Sequence, residues 1–299
     1  MNVYNLPNVS DPHVMLAGDE FFVVPFARLL QAANVEFSIL PHPDLGFTPL
    51  PSDFMDIDEL LADAGLDPDF FDTDERLEDF QEFKDKVIVS EEMFPSHVTH
   101  LAILGPDATH GSLDALAVVM ARYHNPVVMM TPVTETATAM YERLVHPSVV
   151  AIGWIPGMGG DTTMEIAPAL TASEAGIASA SMLLERMGIA TERVEDRLCL
   201  VRLRTLATLI NEAAFAVMEG VATPADIDAA MKLGVNYPKG LLQWADEIGV
   251  DIILDALTAL YDEYGQERYR PCVLFKQYVR AGWTGIRAGR GFYTYHAAP

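Results

Sequence analysis

A parallel α/β domain followed by an all-helical domain is the architecture this sequence predicts. Three observations carry that expectation. Short apolar runs alternate with helical stretches through the first half, helical periodicity stands alone after about residue 193, and Gly or Pro marks the ends of the later helices. Strands are expected at Val14–Gly18, Glu36–Leu40, Val87–Ser90, Leu101–Leu104, Val127–Thr131 and Val149–Ile155, with helices at Val23–Asn34, Ser112–Tyr123 and Ala172–Met187. The opening "VMLAGDEFF", residues 14 to 22, runs into helically spaced Val24, Ala27 and Leu30, which is the strand, turn and helix layout of a Rossmann unit. Beyond it, "RVEDRLCLVRLRTLATLINEAAFAVMEG" reads as one amphipathic helix from Arg193, stopped by Gly220. Thr223, Pro224 and Asp226 make a good helix start running to Gly234, and a further helix, Val250–Tyr264, ends at Gly265. The expected domains are therefore 1–192, Rossmann-like, and 193–299, helical.

Composition narrows the function classes. With 299 residues, 50% hydrophobic and 21% charged, the chain has material for two domains and a large core. No apolar run approaches the roughly 20 residues of a membrane span, and the N-terminus has neither a basic start nor an apolar signal core, so a cytoplasmic protein with no membrane contact is expected. Cys199 and Cys272 lack metal-ligand spacing; no metal site is expected, and both read as reduced, packed thiols.

The net charge of −24 is unevenly placed: residues 193–299 carry 12 basic and 13 acidic side chains, so nearly all of it falls before residue 193. The densest block, Asp53 to Glu92, sets 16 acids against Arg76, Lys84 and Lys86. Such a field argues against nucleic acid and repels coenzyme phosphates; it is a solvated face or a docking face for a basic protein partner.

The nucleotide turn departs from what a dinucleotide needs. In the Gly-x-Gly-x-x-Gly register that begins at Gly18, Glu20 and Val23 occupy the second and third glycine positions. The second glycine admits the pyrophosphate to the backbone and the third lets helix meet strand. Asp19 and Glu20 instead place two carboxylates where the helix N-terminus would face an anion, although the helix dipole also welcomes first-turn acids for its own sake. The acid expected at the end of the second strand, for the ribose hydroxyls, falls on Pro41. Phe21 and Phe22 sit where the dinucleotide would lie and are expected to fill that space.

Further along, "NEAAFAVMEGVATPADIDAAMKLGVNYPKGLLQWADEIGVDIILDAL", then "ERYRP" and "AGWTGIRAGRGFYTY", closely resemble the helical C-terminal domain of the 3-hydroxyacyl-CoA dehydrogenases over residues 197 to 295. Asp-Ile-Asp, Lys-Leu-Gly, Pro-x-Gly and Gly-Arg-Gly-Phe-Tyr occur in the family's order, and "LGVNYPKG" with "YGQERYRPC" looks most like the branch acting on 3-hydroxyadipyl-CoA. The resemblance implies an acyl-CoA ligand, NAD as cofactor and a homodimer formed through residues 193–299.

It also implies a catalytic tract between residues 131 and 176. Glu165 matches the family's glutamate, but the position of its catalytic histidine falls on Gly153 and that of its asparagine on Leu203, before a matching Arg204. The family's serine lies near Thr131 to Thr134. Glu165, Thr131 and Thr134 are thus the candidate catalytic residues, and Gly18 the candidate cofactor contact. The remaining histidines read as structural: His146 as a loop residue before a strand, His110 as part of a turn, His100 and His124 without an acid or nucleophile at useful spacing. "PGMGGDTT" at 156–163 reads as an ordinary loop with an anion nest as the alternative. Met120, Met129, Met130 and Met140 read as core filling. The sequence therefore points to a member of this family with impaired or lost NAD-dependent oxidation, serving as an acyl-CoA-binding or scaffolding homodimer. The alternative is an active dehydrogenase with a rearranged site.

Overall fold

The computed structural model describes residues 11–40, 81–88, 93–106, 122–123, 126–144, 146, 148–159 and 162–295. Proximity of Cα atoms divides the chain into two compact units: 1–130 with 140–150 and 171–188, and 131–139 with 151–170 and 189–299.

In the first unit, β1 (His13–Gly18), β2 (Glu36–Leu40), β3 (His100–Leu104) and β4 (Val127–Met130) form parallel ladders, β1 pairing with both β2 and β3, and β3 with β4. An isolated parallel bridge from Ile39 to Val87 adds a position outside β2. That is all the described residues hold of the strand expected at Val87–Ser90, since 89 and 90 lie outside them. β3 and β4 are buried along their whole length, as strands covered on both faces must be, and so read as continuous apolar runs. Helix α1 (Glu20–Ala32) buries Phe22, Val23, Phe26, Ala27 and Leu30.

The full strand order is β2-β1-β3-β4-β5-β6-β7, where β5 is Val149–Ile152, β6 is Thr163–Pro168 and β7 is Ala190–Arg193. Among the described residues after β4, helices α2 (Ala137–Leu144) and α3 (Glu174–Arg186) lie between these strands in sequence, the latter close to the expected 172–187. The expected helix 112–123 falls almost wholly outside the described residues. β6, β7 and α2 were not legible in the sequence, and β5 stops at Ile152 rather than Ile155.

The single long helix expected from Arg193 is corrected by the structure: helix α4 spans only Arg202–Met218. Residues 194–201 are held in another conformation by specific bonds. The Asp196 carboxylate accepts from the Ala137 and Thr138 amides at 2.9 and 2.8 Å, capping α2. Cys199 and Leu200 adopt left-handed backbone, φ 61° and 48°, and the Cys199 amide donates to the Pro132 carbonyl at 2.7 Å. The amphipathic pattern does predict burial correctly here, because Leu198, Cys199 and Leu200 are all buried.

Helices α5 (Pro224–Val235), α6 (Leu241–Ile248), α7 (Val250–Tyr264) and α8 (Val273–Arg280) complete the second unit. Thr223 caps α5 as its sequence predicts, but the helix closes through left-handed Asn236 rather than at Gly234.

Two buried carboxylates explain the motif spacing of this region. Asp228 accepts from the Leu242 and Gln243 amides and the Tyr293 hydroxyl, at 2.8, 2.9 and 2.7 Å. Asp246 accepts from the Phe292 and Tyr293 amides and the Tyr295 hydroxyl, at 2.8, 2.9 and 3.1 Å. Glycine is required opposite each. A Cβ at Gly240 would stand 2.0 Å from Asp228 Cγ, and one at Gly291 would stand 2.0 Å from Asp246 Oδ1. Among the described residues no helix is long and apolar enough to cross a membrane.

Candidate active site

The nucleotide turn lies in the first unit, between β1 and α1. Gly18 has φ 136°, and a Cβ there would fall 1.9 Å from the Leu104 carbonyl oxygen, so the chain itself uses the space a glycine leaves. Asp19 is the N-cap of α1: its carboxylate accepts from the Phe21 amide at 2.9 Å, while its carbonyl accepts from the Phe22 and Val23 amides, each at 2.9 Å. The amides that would cradle a phosphate are therefore spent within the turn.

Val23 is fully buried and Phe22 is 1% exposed, its ring packed beside Gly105, where a Cβ would lie 3.0 Å from Phe22 Cδ2. Phe21 meets Phe22 edge-on with ring centroids 5.5 Å apart. The residues at this turn do not fit a dinucleotide: the donors are taken, the small positions are filled, and an acid stands on the anion's side. Pro41 lies outside the described residues.

Glu165 lies in the second unit, on β6. The Gly153 amide donates to the Glu165 carbonyl at 2.8 Å, and a Cβ built at Gly153 would stand 3.3 Å from both Glu165 Cβ and Oε2. A side chain at position 153 would thus touch the carboxylate. None is there, and Glu165 turns to the N-terminus of α4, accepting from the Arg202 amide at 3.1 Å on Oε1 and 3.3 Å on Oε2. Glu165 is 8% exposed; burial raises its carboxyl above the ordinary range, opposed by bonds to the Arg202 and Val201 backbone and by the Arg202 charge. The Arg202 guanidinium donates in turn to the Gly159 carbonyl. A cavity of about 10 Å³, lined by Gly153, Trp154, Met158, Gly159, Thr163 and Arg202, has room for about one water.

The other candidates do not converge on this carboxylate. Thr131 is fully buried just after β4 and Thr134 is partly exposed; the hydrogen bonds of Glu165 go to the start of α4 and to neither threonine. Leu203 is buried and offers no amide, while the Arg204 guanidinium lies over the rings of Tyr264 and Tyr269, at 4.4 and 5.3 Å. Glu165 here holds a helix start, and position 153, where the resemblance puts the family's histidine, carries no side chain. No local pattern marks Arg202 as a member of this group, because its amide reaches Glu165 only after the left-handed residues 199 and 200.

Of the remaining histidines, His100 is fully buried between the Thr99 hydroxyl (2.9 Å to Nδ1) and the Ser179 hydroxyl (3.1 Å to Nε2). His146 is buried, with Nδ1 accepting from the Ser148 amide at 3.3 Å and Nε2 without a partner. Burial lowers both to about 4, so both are neutral. Met129, Met130 and Met140 are core residues, and both cysteines are free and buried. His110, His124 and Met120 lie outside the described residues, as does the acidic block apart from 81–88.

Residues 201–295 match the family model described as the 3-hydroxyacyl-CoA dehydrogenase C-terminal domain. A probable 3-hydroxybutyryl-CoA dehydrogenase of Bacillus subtilis is 44% identical over 132 residues, which are 44% of this chain and 46% of that protein. The 3-hydroxyadipyl-CoA dehydrogenase of Escherichia coli is 40% identical over 151 residues, 50% of this chain and 31% of its own length. The chain thus covers less than half of either relative.

The fold extends further than the sequence likeness. The crystal structure of an (S)-3-hydroxybutyryl-CoA dehydrogenase from Ralstonia eutropha superposes with a TM-score of 0.65 at 21% identity, covering 96% of this chain and 100% of that one. FadB2 of M. tuberculosis gives 0.70 at 19% identity, covering 95% and 98%. The likeness in sequence to the 3-hydroxyacyl-CoA dehydrogenases thus rests on the helical region, residues 201–295, and the likeness in fold extends over the whole chain.

Proposed function

We propose that this protein binds acyl-CoA as a homodimer and has lost, or retains only weakly, the NAD-dependent oxidation its relatives are named for. The observation that carries the reading is the Asp19 cap, which occupies the Phe21 amide at the start of α1. The empty position 153 beside Glu165 supports it independently. The proposed organisation is a Rossmann-type domain over 1–192 and a helical dimerisation domain over 193–299, in a cytoplasmic protein. A basic protein partner at the acidic block 53–92 would give it a scaffolding role.

A second reading has specific support. Glu165 is buried with a raised pKa, a combination that suits a general base, and relatives at 40–44% identity are named dehydrogenases. An active enzyme would then use Glu165 with Thr131 or Thr134, NAD bound away from the usual turn, and a 3-hydroxyadipyl-CoA-like substrate.

Calorimetric titration with NADH separates the two. The first reading expects no heat of binding at millimolar NADH and no loss of nicotinamide absorbance with acetoacetyl-CoA, together with a rise in unfolding temperature on adding CoA esters alone. Micromolar NADH binding, or turnover, would establish the second.

A further inference from the structure

Two histidines meet at the amino-terminal end of β1 and β3 in the first unit. His13 opens β1 and His97 lies in the approach to β3, and their rings stand edge to face, with centroids 5.8 Å apart and planes at 71°. His97 is exposed and His13 half-buried, so the pair is reachable from solvent. Two imidazoles bound to one tetrahedral cation at about 2.1 Å have ring centroids roughly 5.2 Å apart. The pair thus stands within about 0.6 Å of the spacing that a shared metal ion imposes.

The hydrogen bonds of the pair leave one nitrogen of each ring for a ligand. His97 Nε2 lies 3.2 Å from the Asp11 carbonyl, which can only accept, so that nitrogen carries the proton and Nδ1 keeps its lone pair. The Ser96 hydroxyl stands 3.4 Å from that Nδ1, a long contact that a cation readily displaces. His13 Nε2 lies 2.9 Å from the Ser38 hydroxyl, and its Nδ1 has no hydrogen-bond partner among the described residues. An imidazole that spends one nitrogen on a carbonyl or hydroxyl and offers the other is the arrangement of a metal-bound histidine. The charged groups around His13 are Asp11, Glu36, Lys86 and His97; Lys86 is paired with Glu36 at 3.3 Å, which leaves the Asp11 carboxylate to favour a cation.

We propose that His13 and His97 hold a divalent transition-metal ion, of the zinc, nickel or copper class that imidazole nitrogen selects, through Nδ1 of each ring. His97, being exposed, is free to turn its ring the remaining distance. Among the described residues no three His, Cys, Asp or Glu side chains gather as a metal cage, so water completes the coordination shell. Bound there, the ion ties the start of β1 to the approach to β3 and closes the chain between residues 13 and 97, which contains the acidic block. Its effect is to stabilise the first unit.

The test titrates the full chain with zinc and nickel chloride by calorimetry in excess magnesium, which occupies carboxylate-only sites, and repeats the titration on His97→Gln and His13→Gln. The expected result is one ion per chain, a rise in unfolding temperature on adding it, and a loss of affinity of about tenfold or more in either variant. Because His97 is exposed, its variant should keep the native circular dichroism and carries the test if His13→Gln unfolds. Copper(II) in place of zinc should show two nitrogen ligands by electron paramagnetic resonance in the native chain and one in His97→Gln. The proposal is overturned if neither zinc nor nickel binds at about 100 µM, which leaves the rings as packing partners only. It is overturned equally by unchanged affinity in His97→Gln, which would put the ion on the acidic block, or by a copper spectrum that keeps both nitrogens in that variant.

Discussion

Removing the Asp246 carboxylate should loosen the second unit far more than its distance from either candidate site suggests. Asp246 is 1% exposed and is the acceptor for two amides and one hydroxyl, those of Phe292, Tyr293 and Tyr295. In Asp246→Ala all three donors lose their partner, at about 1–3 kcal/mol each where no water replaces it. Two effects run the other way. A buried charge is removed, and so is its repulsion with Asp228, which burial and that neighbour together express as a raised Asp246 pKa. The expected net loss is about 3 kcal/mol.

Urea unfolding followed by tryptophan fluorescence measures it cleanly, because Trp154, Trp244 and Trp283, the only three in the chain, all lie in the second unit. With an m-value of roughly 2 kcal/mol/M the midpoint should fall by about 1.5 M. Asp246→Asn, which keeps one acceptor oxygen, should lose about half as much. An Asp246→Ala midpoint within about 0.3 M of the native chain would refute the account, since orphaned donors of this kind cannot be free of cost.

Acid should destabilise the first unit through its buried histidines. His100 has a folded pKa near 4 against 6.5 unfolded, so the unfolded chain takes up the proton first; stability falls as pH drops below 6.5, and the loss, about 3 kcal/mol for His100, is complete below about 4. Hydrogen exchange of the β3 amides across that window reads it, and His100→Gln should flatten the dependence. Asp19→Ala removes the α1 cap and should cost about 1 kcal/mol in thermal unfolding without creating NADH affinity, because Phe22 and Val23 still fill the turn; micromolar NADH binding by this variant would show the acid alone to be the obstacle. Gly153→His should bring an imidazole against Glu165, whose carboxylate would raise the histidine pKa above 6.5 by NMR titration; on the proposed reading the variant should gain no dehydrogenase activity, and NADH turnover by it would count against that reading.

Elements whose period and punctuation agree were legible in the sequence. β2 and α7 lie where the pattern puts them, and Thr223 caps α5 as its spacing with Asp226 requires. The absence of a side chain at 153 and the acids at 19 and 20 were legible too, because they are identities at fixed positions. What failed depends on long-range partners. The stretch 194–201 carries a helical apolar pattern, yet Asp196 is drawn to α2 and Cys199 to Pro132, contacts from 59 and 67 residues away that no local window contains. β6 was missed for a related reason. Its Glu165 interrupts the apolar run, and only the start of α4 explains why a carboxylate tolerates burial in a strand. The structural burden on Asp228 and Asp246 was likewise hidden: the motif elements were visible, but not that each glycine serves an acid.

The self-capped turn also bears on how such a protein changes over generations. Val23 contributes a fully buried side chain to α1, and exchanging it for glycine would cost roughly 2–4 kcal/mol in lost packing and helix propensity before any coenzyme contact repaid it. Any mutational route from this turn to a glycine-rich one therefore passes through weakened intermediates, because the buried contacts of Val23 must be given up first.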